Sequence, residues 1–471
     1  MRQFAAGYRA RGQWAMRLVV CVAAAFAVVP ATAGYVIERV DLEQFDVPLR
    51  SPFQTAKATS TSCYGVLVTL HAVDEASGRR VRGIGTILPR SLVTNEIRRD
   101  SWAASQQMAQ AIRGTPLTGK DLAADLATAD RVVRSLSEAA NAFELTTKYP
   151  PAADRQLRAT LCGFDIALLD LIGQLYDQPI WALLNPGSPR THIKRSAPTY
   201  GTGTGPASLS RRVPAAHPAY DAIRMKIGTD LEADPERVAA VAEALVAAGR
   251  TETAVWVDVN AAWKSAEPSI EQLTRLAEVL EQAGFTATFI VEQPTAEDDL
   301  DALRDVTQTV RSWSGRYGFS IQTMADESIW LLSDVQRLVE LDAADMVNIK
   351  LQKAGGLQVA MRMGLYLQEH APGVGVYLGG LVMTDLGAWA NVQASFALPR
   401  LDYQTSGAPR RNFSDNIAAF PLTYAFDRSI RRPTQSGLST SVDRDAFKPF
   451  IEKTHVVGRL PDRFTSPRRL P

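Results

Sequence analysis

The sequence predicts an α/β protein in which a closed barrel of alternating strands and helices follows a smaller α+β domain. After the Gly/Thr/Pro-rich stretch 199–206, short apolar runs alternate with helical stretches about 30 residues apart, as expected for consecutive βα units. Helix boundaries are readable, since Pro235 opens a helix that Gly249 closes and Pro268 opens one that Gly284 closes. A chain of 471 residues with 46% hydrophobic content is long enough for both domains.

The chain begins with an apolar segment typical of a secretory signal. Residues 18–29 are almost wholly apolar, follow several arginines and end near Ala31-Thr32-Ala33. This run is shorter than the ~20 apolar residues of a membrane-spanning helix. We therefore predict a signal peptide over 1–33, which implies a periplasmic or secreted protein; without a functional signal the protein would be cytoplasmic. An uncleaved anchor and a start at Met16 stay open.

The net charge indicates the class of binding partner, and the positions of the cysteines indicate whether they form a disulfide. The net charge is +1 and there is no basic or acidic block, so nucleic acid and membrane surfaces are not the implied partners, and a small molecule is. Cys21 lies in the signal segment. Cys63 lies in a strand-like run and Cys162 in a helical one, which favours free, buried thiols over a disulfide.

The elements before the barrel form a small domain that we place at 34–160. Residues 35–88 read as strands and 101–145 as helices. The stretch 161–176 is a nearly continuous apolar helix, so we expect it to lie between two layers. The barrel is placed at 161–409, and the irregular segment 410–471 is expected to return and pack on the first domain.

Five ionisable residues end successive strand-like runs of the barrel: Lys226, Asp258, Glu292, Asp326 and Lys350. The carboxyl ends of parallel strands meet at one face of a barrel. Three carboxylates this close together would repel strongly without a cation, and their oxygens suit Mg²⁺, with Mn²⁺ as an alternative. The pattern therefore predicts a divalent metal site flanked by two amines.

Strand alternation predicts the neighbours of these groups. Arg224 and Lys226 point to one face, so two adjacent cations favour the neutral amine and make Lys226 a usable base. Asn260 shares a face with Asp258, and Lys350 approaches the metal from the other side. A metal-bound substrate carboxylate has an acidified α-carbon, because the cation stabilises the enolate. Epimerisation, cycloisomerisation and β-elimination are the reactions that follow.

Longer motifs resemble the enolase superfamily, and within it the muconate-lactonising and dipeptide-epimerase-like branch of the mandelate racemase/muconate lactonizing enzyme family. The motifs are RSPFQTA at 50–56, FDIALLDLIGQLYDQPIWALLN at 164–185 and DMVNIKLQKAGGL at 345–357. The resemblance covers nearly all of the chain after the signal. It implies a (β/α)7β TIM-like barrel with an N-terminal α+β capping domain that the C-terminal tail completes.

The resemblance also implies roles for individual residues. Asp258, Glu292 and Asp326 match the Mg²⁺ ligands, and Lys226 and Lys350 match the acid/base pair. His370 lies before the seventh strand, whereas a related branch of the superfamily carries its catalytic His at the end of that strand. A Lys/Lys mechanism is therefore preferred over a Lys/His mechanism. On the substrate side we expect Arg224, Asn260, Phe53, Thr384, Asp385, Arg400 and Asp402.

Three positions depart from the family pattern. Arg224 replaces the first Lys of a K-x-K pair. Met383 precedes Thr384 where relatives often carry a Glu before a small hydroxyl residue, and the nearest acid, Asp385, is displaced by two positions. Arg400-Leu401-Asp402 stands where dipeptide epimerases have Asp-x-Asp to hold an ammonium, and Arg400 would favour a substrate anion or N-acyl group.

The expected function is Mg-dependent abstraction of an α-proton from a carboxylate substrate, with racemisation, epimerisation or cycloisomerisation of an N-acyl amino acid, dipeptide or related acid. One alternative is a lyase of the same superfamily, either an acid-sugar dehydratase or an enzyme resembling o-succinylbenzoate synthase. Another is a non-catalytic secreted relative that binds an anion. The partner is a small carboxylate, with no nucleic acid and no stable membrane partner after signal cleavage; a homo-oligomer stays open.

Overall fold

The computed structural model describes residues 34–54, 59–148, 150–194, 196–403, 413 and 415–458. The predicted signal segment 1–33, with Cys21, lies outside these residues. Cys63 and Cys162 are free and buried, as predicted.

The N-terminal domain is built on an antiparallel sheet that the two ends of the chain share. Strand β1 (Tyr35–Gln54) pairs with β2 (Thr59–Asp74), which pairs with β3 (Arg80–Ile87). The short β4 (Pro116–Leu117) and the last strand, β14 (Ile451–Gly458), both pair with β1. Apolar side chains of α1 (Arg98–Ile112) and α2 (Leu122–Asn141) pack in one core with the strands. The C-terminal segment thus completes the capping domain.

Helix α3 (Arg158–Tyr176) joins the two domains, and every residue from 158 to 173 is buried. Phe164 packs in the core of the capping domain, whereas Ile166 packs in the core of the barrel. The prediction of a helix between two layers is therefore confirmed, although the helix begins before the predicted boundary at 160. Among the described residues it is also the one helix apolar and long enough to cross a membrane, and its burial inside the protein accounts for that composition.

A close approach to β3 holds this helix in place. A Cβ added at Gly85 would lie 2.0 Å from the carbonyl oxygen of Gly163, and one at Gly83 would lie 2.3 Å from that of Ala167. Only glycine fits where the strand and the helix backbone touch so closely.

Within the described residues, the barrel contains seven parallel strands in sequential spatial order, with Tyr403 forming a further parallel bridge to Tyr377. The predicted fold class is confirmed. The strands are β6 (Thr199–Tyr200), β7 (Ala222–Lys226), β8 (Ala254–Asp258), β9 (Thr288–Glu292), β10 (Ser320–Ala325), β11 (Met346–Ile349) and β12 (Gly375–Leu378). The helices after α3 are α4 (Ile180–Leu184), α5 (Pro206–Arg212), α6 (Asp234–Ala247), α7 (Ala266–Gln282), α8 (Leu300–Ser312), α9 (Leu332–Leu341), α10 (Leu351–Ala354), α11 (Leu357–His370), α12 (Asp385–Ala397) and α13 (Arg444–Phe447).

Large side chains fill the barrel interior beneath the carboxyl ends of the strands. Trp256 lies edge-on to Tyr377 and Tyr403, with ring centroids 4.8 and 5.6 Å away. Met324 and Met346 belong to the same buried cluster. Because these side chains fill the barrel interior, a site can form only at the carboxyl ends of the strands. Outside the barrel, β5 (His192–Lys194) pairs with β13 (Ser429–Arg431) and ties the C-terminal segment to the barrel.

Candidate active site

The three predicted carboxylates meet at the carboxyl ends of β8, β9 and β10. One oxygen from each of Asp258, Glu292 and Asp326 lies within 4.8 Å of the other two, and all three side chains are fully buried. Register explains part of this, because Lys226 pairs with Asp258 and Asp258 with Glu292 across neighbouring strands. Buried oxygen ligands at this spacing fit a hard divalent cation.

Lys226 approaches the cluster at Asp258. Its ammonium group donates to the Asp258 carboxylate and to Asn260 Oδ1 at 3.0 Å. Asn260 in turn donates from Nδ2 to Glu327 Oε1 at 3.0 Å, and its backbone N–H bonds Asp258 Oδ1 at 3.1 Å. Asn260 adopts a left-handed backbone conformation with φ of 51°. The structure therefore brings Asn260 to the position that alternation predicted.

Lys350 approaches the cluster at Asp326, where a second lysine joins it. The Lys350 ammonium group donates to one Asp326 oxygen, and Lys353 Nζ donates to Oδ1 at 2.7 Å and also to the Asp326 carbonyl. Lys353 was not predicted. It follows Lys350 by three residues in α10, so the K-x-x-K spacing at a helix start was the available signal.

Arg224 lies beneath the cluster and bridges two of its carboxylates. Its Nη2 donates to both Glu292 oxygens at 2.7 Å and to Asp258. Glu292 also accepts from Trp256 Nε1 and from Asn348 Nδ2, each at 2.8 Å. Trp256 and Asn348 were not predicted, although each lies two residues before a predicted site residue and therefore shares its face of the strand.

Charge compensation separates the three carboxylates. Burial works against ionisation of Asp258 and Asp326, yet the cations beside them hold the pKa of each below its ordinary value, and that of Asp326 well below. Burial raises the pKa of Glu292 to about 8, since Asp258 and Asp326 add repulsion and Arg224 compensates only in part. Burial also opposes the charge on Lys350, but Asp326 raises the pKa of that amine above its ordinary value.

A family model described as Enolase C-terminal domain-like matches residues 208–446, which is half of the chain. These residues include every carboxylate and lysine of the cluster. The chain belongs to the enolase superfamily.

Curated relatives in this superfamily are isomerases. The N-succinyl-L-Arg/Lys racemase of Bacillus cereus is 25% identical over 61% of this chain and 70% of its own length. The D-Ala-D/L-Ala epimerase of Cytophaga hutchinsonii is 26% identical over 87% and 97%. The chloromuconate cycloisomerase of Cupriavidus pinatubonensis is 28% identical over 61% and 71%. The prediction of an isomerase of this superfamily is confirmed.

Solved structures agree with this fold. The Bacillus cereus racemase superposes with a TM-score of 0.71 at 20% identity, covering 90% of this chain and all of its own. A dipeptide epimerase from Cytophaga hutchinsonii, solved with Mg and D-Ala-L-Val, superposes with a TM-score of 0.70 at 22% identity, covering 89% and 99%.

The structure places two predicted substrate residues of this enolase-superfamily chain away from the carboxylates. Tyr403 points into the barrel and touches Trp256, so alternation turns Asp402 outward. Asp402 accepts from the N–H of Val376, and Arg400 bonds Asp402 and the carbonyl of Pro372, which precedes β12. The expectation that Arg400 and Asp402 hold substrate is therefore corrected: they form a partly exposed pair near the amino end of β12.

Asp385 also has a structural partner. Its Oδ1 accepts from the N–H of Leu422 at 3.3 Å, which ties the first turn of α12 to the C-terminal segment. This contact gives Asp385 a structural partner, and its substrate role stays a prediction. Thr384, the residue before α12, is buried and lies beside the Cys63 thiol. It belongs to the contact between β2 and the loop after β12.

Phe53 lies near the tip of the β1–β2 hairpin, where it pairs with Ser60. Its neighbour Gln54 touches the loop after β6: a Cβ added at Gly201 would lie 2.9 Å from the Gln54 carbonyl oxygen, and one at Gly203 would lie 2.5 Å from Gln54 Oε1. The hairpin tip therefore reaches the barrel at the carboxyl end of β6, which leaves the predicted substrate role of Phe53 as a prediction.

Proposed function

We propose that the protein is a Mg²⁺-dependent racemase or epimerase that inverts the α-carbon of an N-acylated amino acid or a dipeptide. One observation carries the proposal: the buried carboxylate cluster has Lys226 bonded at its Asp258 end and Lys350 bonded at its Asp326 end. Two amines at opposite ends of one metal site suit proton removal from one face of the α-carbon and proton return to the other.

The donor set supports Mg²⁺ held by Asp258, Glu292 and Asp326. When bound there, the ion would act as a Lewis acid for the substrate carboxylate and stabilise the negative charge that develops on its oxygens. The lysines do the rest: one accepts the α-proton at Nζ, and the other donates a proton to the opposite face. Return by the same lysine restores the starting enantiomer.

Several relatives support the substrate class. The names of the Bacillus cereus and Cytophaga hutchinsonii relatives specify an N-succinyl amino acid and a dipeptide, and both compounds carry an amide nitrogen on the α-carbon beside a carboxylate. Cycloisomerisation, the reaction named for the Cupriavidus relative, is the less favoured alternative. Ring closure in that reaction requires a proton to be donated to one face only, so one lysine suffices, whereas this site has a lysine at each end.

The test is α-proton exchange in deuterated water. Purified protein with Mg²⁺ is incubated with each enantiomer of N-succinyl-lysine, N-succinyl-arginine and Ala-Val dipeptides, and deuterium is read by mass spectrometry. Lys226→Ala should abolish exchange from one enantiomer and Lys350→Ala exchange from the other. Lys194→Ala, which removes a surface cation paired with Asp221, is the control. Full exchange of both enantiomers in either active-site variant would refute the two-base assignment.

Metal dependence has its own measurement. Chelation should remove all exchange, and Mg²⁺ or Mn²⁺ should restore it, while isothermal titration reports binding directly. Binding without exchange of any compound in the panel would favour the anion-binding alternative.

We also propose that the protein is exported, which rests on the apolar segment before Gly34. Expressed from its own first residue in a bacterium, the protein should appear in the periplasmic extract with an N-terminus at Gly34. An intact N-terminus in the cytoplasmic fraction would contradict export.

A further inference from the structure

A buried arginine on α6 holds the end of the strand that carries Lys226. Arg237 is 4% exposed and bonds four oxygens. Its Nε donates to the carbonyl of Thr204 at 3.0 Å, its Nη2 to the carbonyls of Gly201 at 3.1 Å and Lys226 at 3.0 Å, and its Nη1 to Asp234 Oδ1 at 2.8 Å. One side chain therefore joins α6, the loop after β6 and the last residue of β7.

The bond to Lys226 occupies a place where the sheet provides no partner. Strand β6 ends at Tyr200, which pairs with Met225, so the ladder on this side stops one residue before Lys226. A carbonyl that is buried without a donor is costly, and Arg237 supplies the donor. Holding this carbonyl fixes the peptide plane at Lys226 and hence the direction in which its side chain leaves the strand.

Asp234 extends this hydrogen-bond network to the backbone that follows Lys226. Its second oxygen accepts from the N–H of Gly228 at 2.6 Å. Gly228 has φ of +95° and packs against the loop that follows Asp258, since a Cβ added there would lie 2.8 Å from Ala262 Cβ. Arg237 and Asp234 together hold the backbone before and after Ile227.

The same arginine reaches the capping domain indirectly. The loop that it holds through Gly201 and Thr204 is the loop that Gln54 touches at the tip of the β1–β2 hairpin. The chain of contacts therefore runs from Gln54 through this loop and Arg237 to the backbone of Lys226. Lys350 lies on β11's carboxyl end and is held by Asp326 instead.

We propose that Arg237 is a positioning residue that couples the capping-domain hairpin to Lys226, and so controls the proton transfer that Lys226 performs but not the one that Lys350 performs. The proposal rests on the two-lysine function proposed above. A displacement of about 1 Å at a reacting group lowers a rate by up to ~10²-fold. The effect of losing Arg237 should therefore be confined to one enantiomer.

The experiment compares Arg237→Met with Arg250→Met. Arg250 follows the other end of α6 and also donates to two carbonyls, of Ala216 and Tyr220, each at 3.2 Å, but it does so before β7 begins. Exchange into each enantiomer of N-succinyl-lysine and Ala-Val is measured with saturating Mg²⁺. Arg237→Met should slow exchange from the enantiomer that Lys226→Ala abolishes by at least about tenfold relative to the other. Arg250→Met should leave the ratio of the two rates unchanged.

The outcomes separate the two proposals. Equal slowing of both enantiomers by Arg237→Met, with Lys226→Ala and Lys350→Ala each selective, would overturn the role of Arg237 alone. If the lysine variants show no selectivity, the two-base function fails. Amide hydrogen exchange then tests the coupling independently of catalysis. Arg237→Met should raise amide exchange in 201–204, 226–228 and the hairpin at 47–54 together. Unchanged amide protection in these segments would refute the coupling.

Discussion

Two groups of three buried carboxylates are held by different kinds of partner. In the active site, Asp258, Glu292 and Asp326 face the cations Arg224, Lys226, Lys350 and Lys353. Around helix α3, carboxylates that are equally buried are held by N–H and O–H groups instead: Glu96, Asp165 and Asp170. Burial raises the pKa of Glu96 to about 7 and those of Asp165 and Asp170 to about 6.

The difference shows what each partner can compensate. An N–H donor satisfies the geometry of a buried oxygen but does not cancel its charge, so desolvation still favours the protonated acid. The cations beside Asp258 and Asp326 keep these two groups ionised and available to a metal, whereas Arg224 offsets the burial of Glu292 only in part and the pKa of Glu292 is raised to about 8. The carboxylates that accept from backbone N–H groups connect α3 to other elements. Asp165 accepts from the N–H of Leu357 at 2.5 Å, and Asp170 accepts from those of Ile84 and Leu438, each at 2.7 Å.

The largest effect is expected when an active-site carboxylate loses its charge. Asp326→Asn leaves Lys350 and Lys353 buried without a counter-ion, so the free energy of unfolding measured in urea without metal should fall by about 3–5 kcal/mol. Adding Lys353→Met to the same variant removes one uncompensated cation and should restore part of the loss. An unchanged unfolding midpoint in Asp326→Asn would show that these cations do not depend on the carboxylate.

The second-largest effect is a pH dependence of the free energy of unfolding that comes from Glu96. Because folding raises the pKa of Glu96 from 4.5 to about 7, the folded state binds the proton more tightly than the unfolded chain does. This contribution is fully present below pH 4.5 and is lost as the pH rises through about 7, a change of about 3 kcal/mol. Urea unfolding at pH 5 and pH 8 should show a smaller difference in Glu96→Gln than in the parent. Glu75→Gln, in an exposed turn, should keep the parental difference.

A smaller effect, on the affinity for Mg²⁺, is expected from Lys353, whose ammonium group orients the Asp326 carboxylate. Lys353→Met removes the donor to Asp326 Oδ1 and to its carbonyl but leaves Lys350 in place. Partners that orient metal ligands typically change metal affinity by about 10- to 100-fold, so Mg²⁺ should bind more weakly by that factor in isothermal titration. Lys194→Met provides the matched surface control. Parental affinity in Lys353→Met would mean that Lys350 alone orients Asp326.

The smallest effect belongs to a pair that is neither buried nor in the cluster. Arg400→Gln removes a partly exposed salt bridge to Asp402, and such pairs contribute about 0–1 kcal/mol. Exchange rates for both enantiomers should equal those of the parent. A selective loss of activity toward N-acyl substrates would restore the role first assigned to Arg400.

Local pattern accounts for most of the site that was predicted. Lys226, Asp258, Glu292, Asp326 and Lys350 were recognisable because each ends an apolar run, and parallel strands bring their carboxyl ends to one rim. Trp256, Asn348 and Lys353 were missed because none of them ends an apolar run, although strand alternation and the K-x-x-K spacing were available signals. Arg400 and Asp402 were misplaced because the register of the extended segment 400–403 depends on its neighbour β12, and a one-residue shift turns every side chain to the other face.

The sequence by itself determined the order of the elements, the fold class and the five charged strand ends, because hydrophobic periodicity and strand length are local properties of the chain. Only the tertiary structure decided which charge compensates which. Asp326 is ionised beside Lys353 and Glu96 is stabilised in its protonated form because long-range contacts assign a cation to one and amides to the other. The pKa of a buried carboxylate follows from those contacts, and they join residues far apart in the chain.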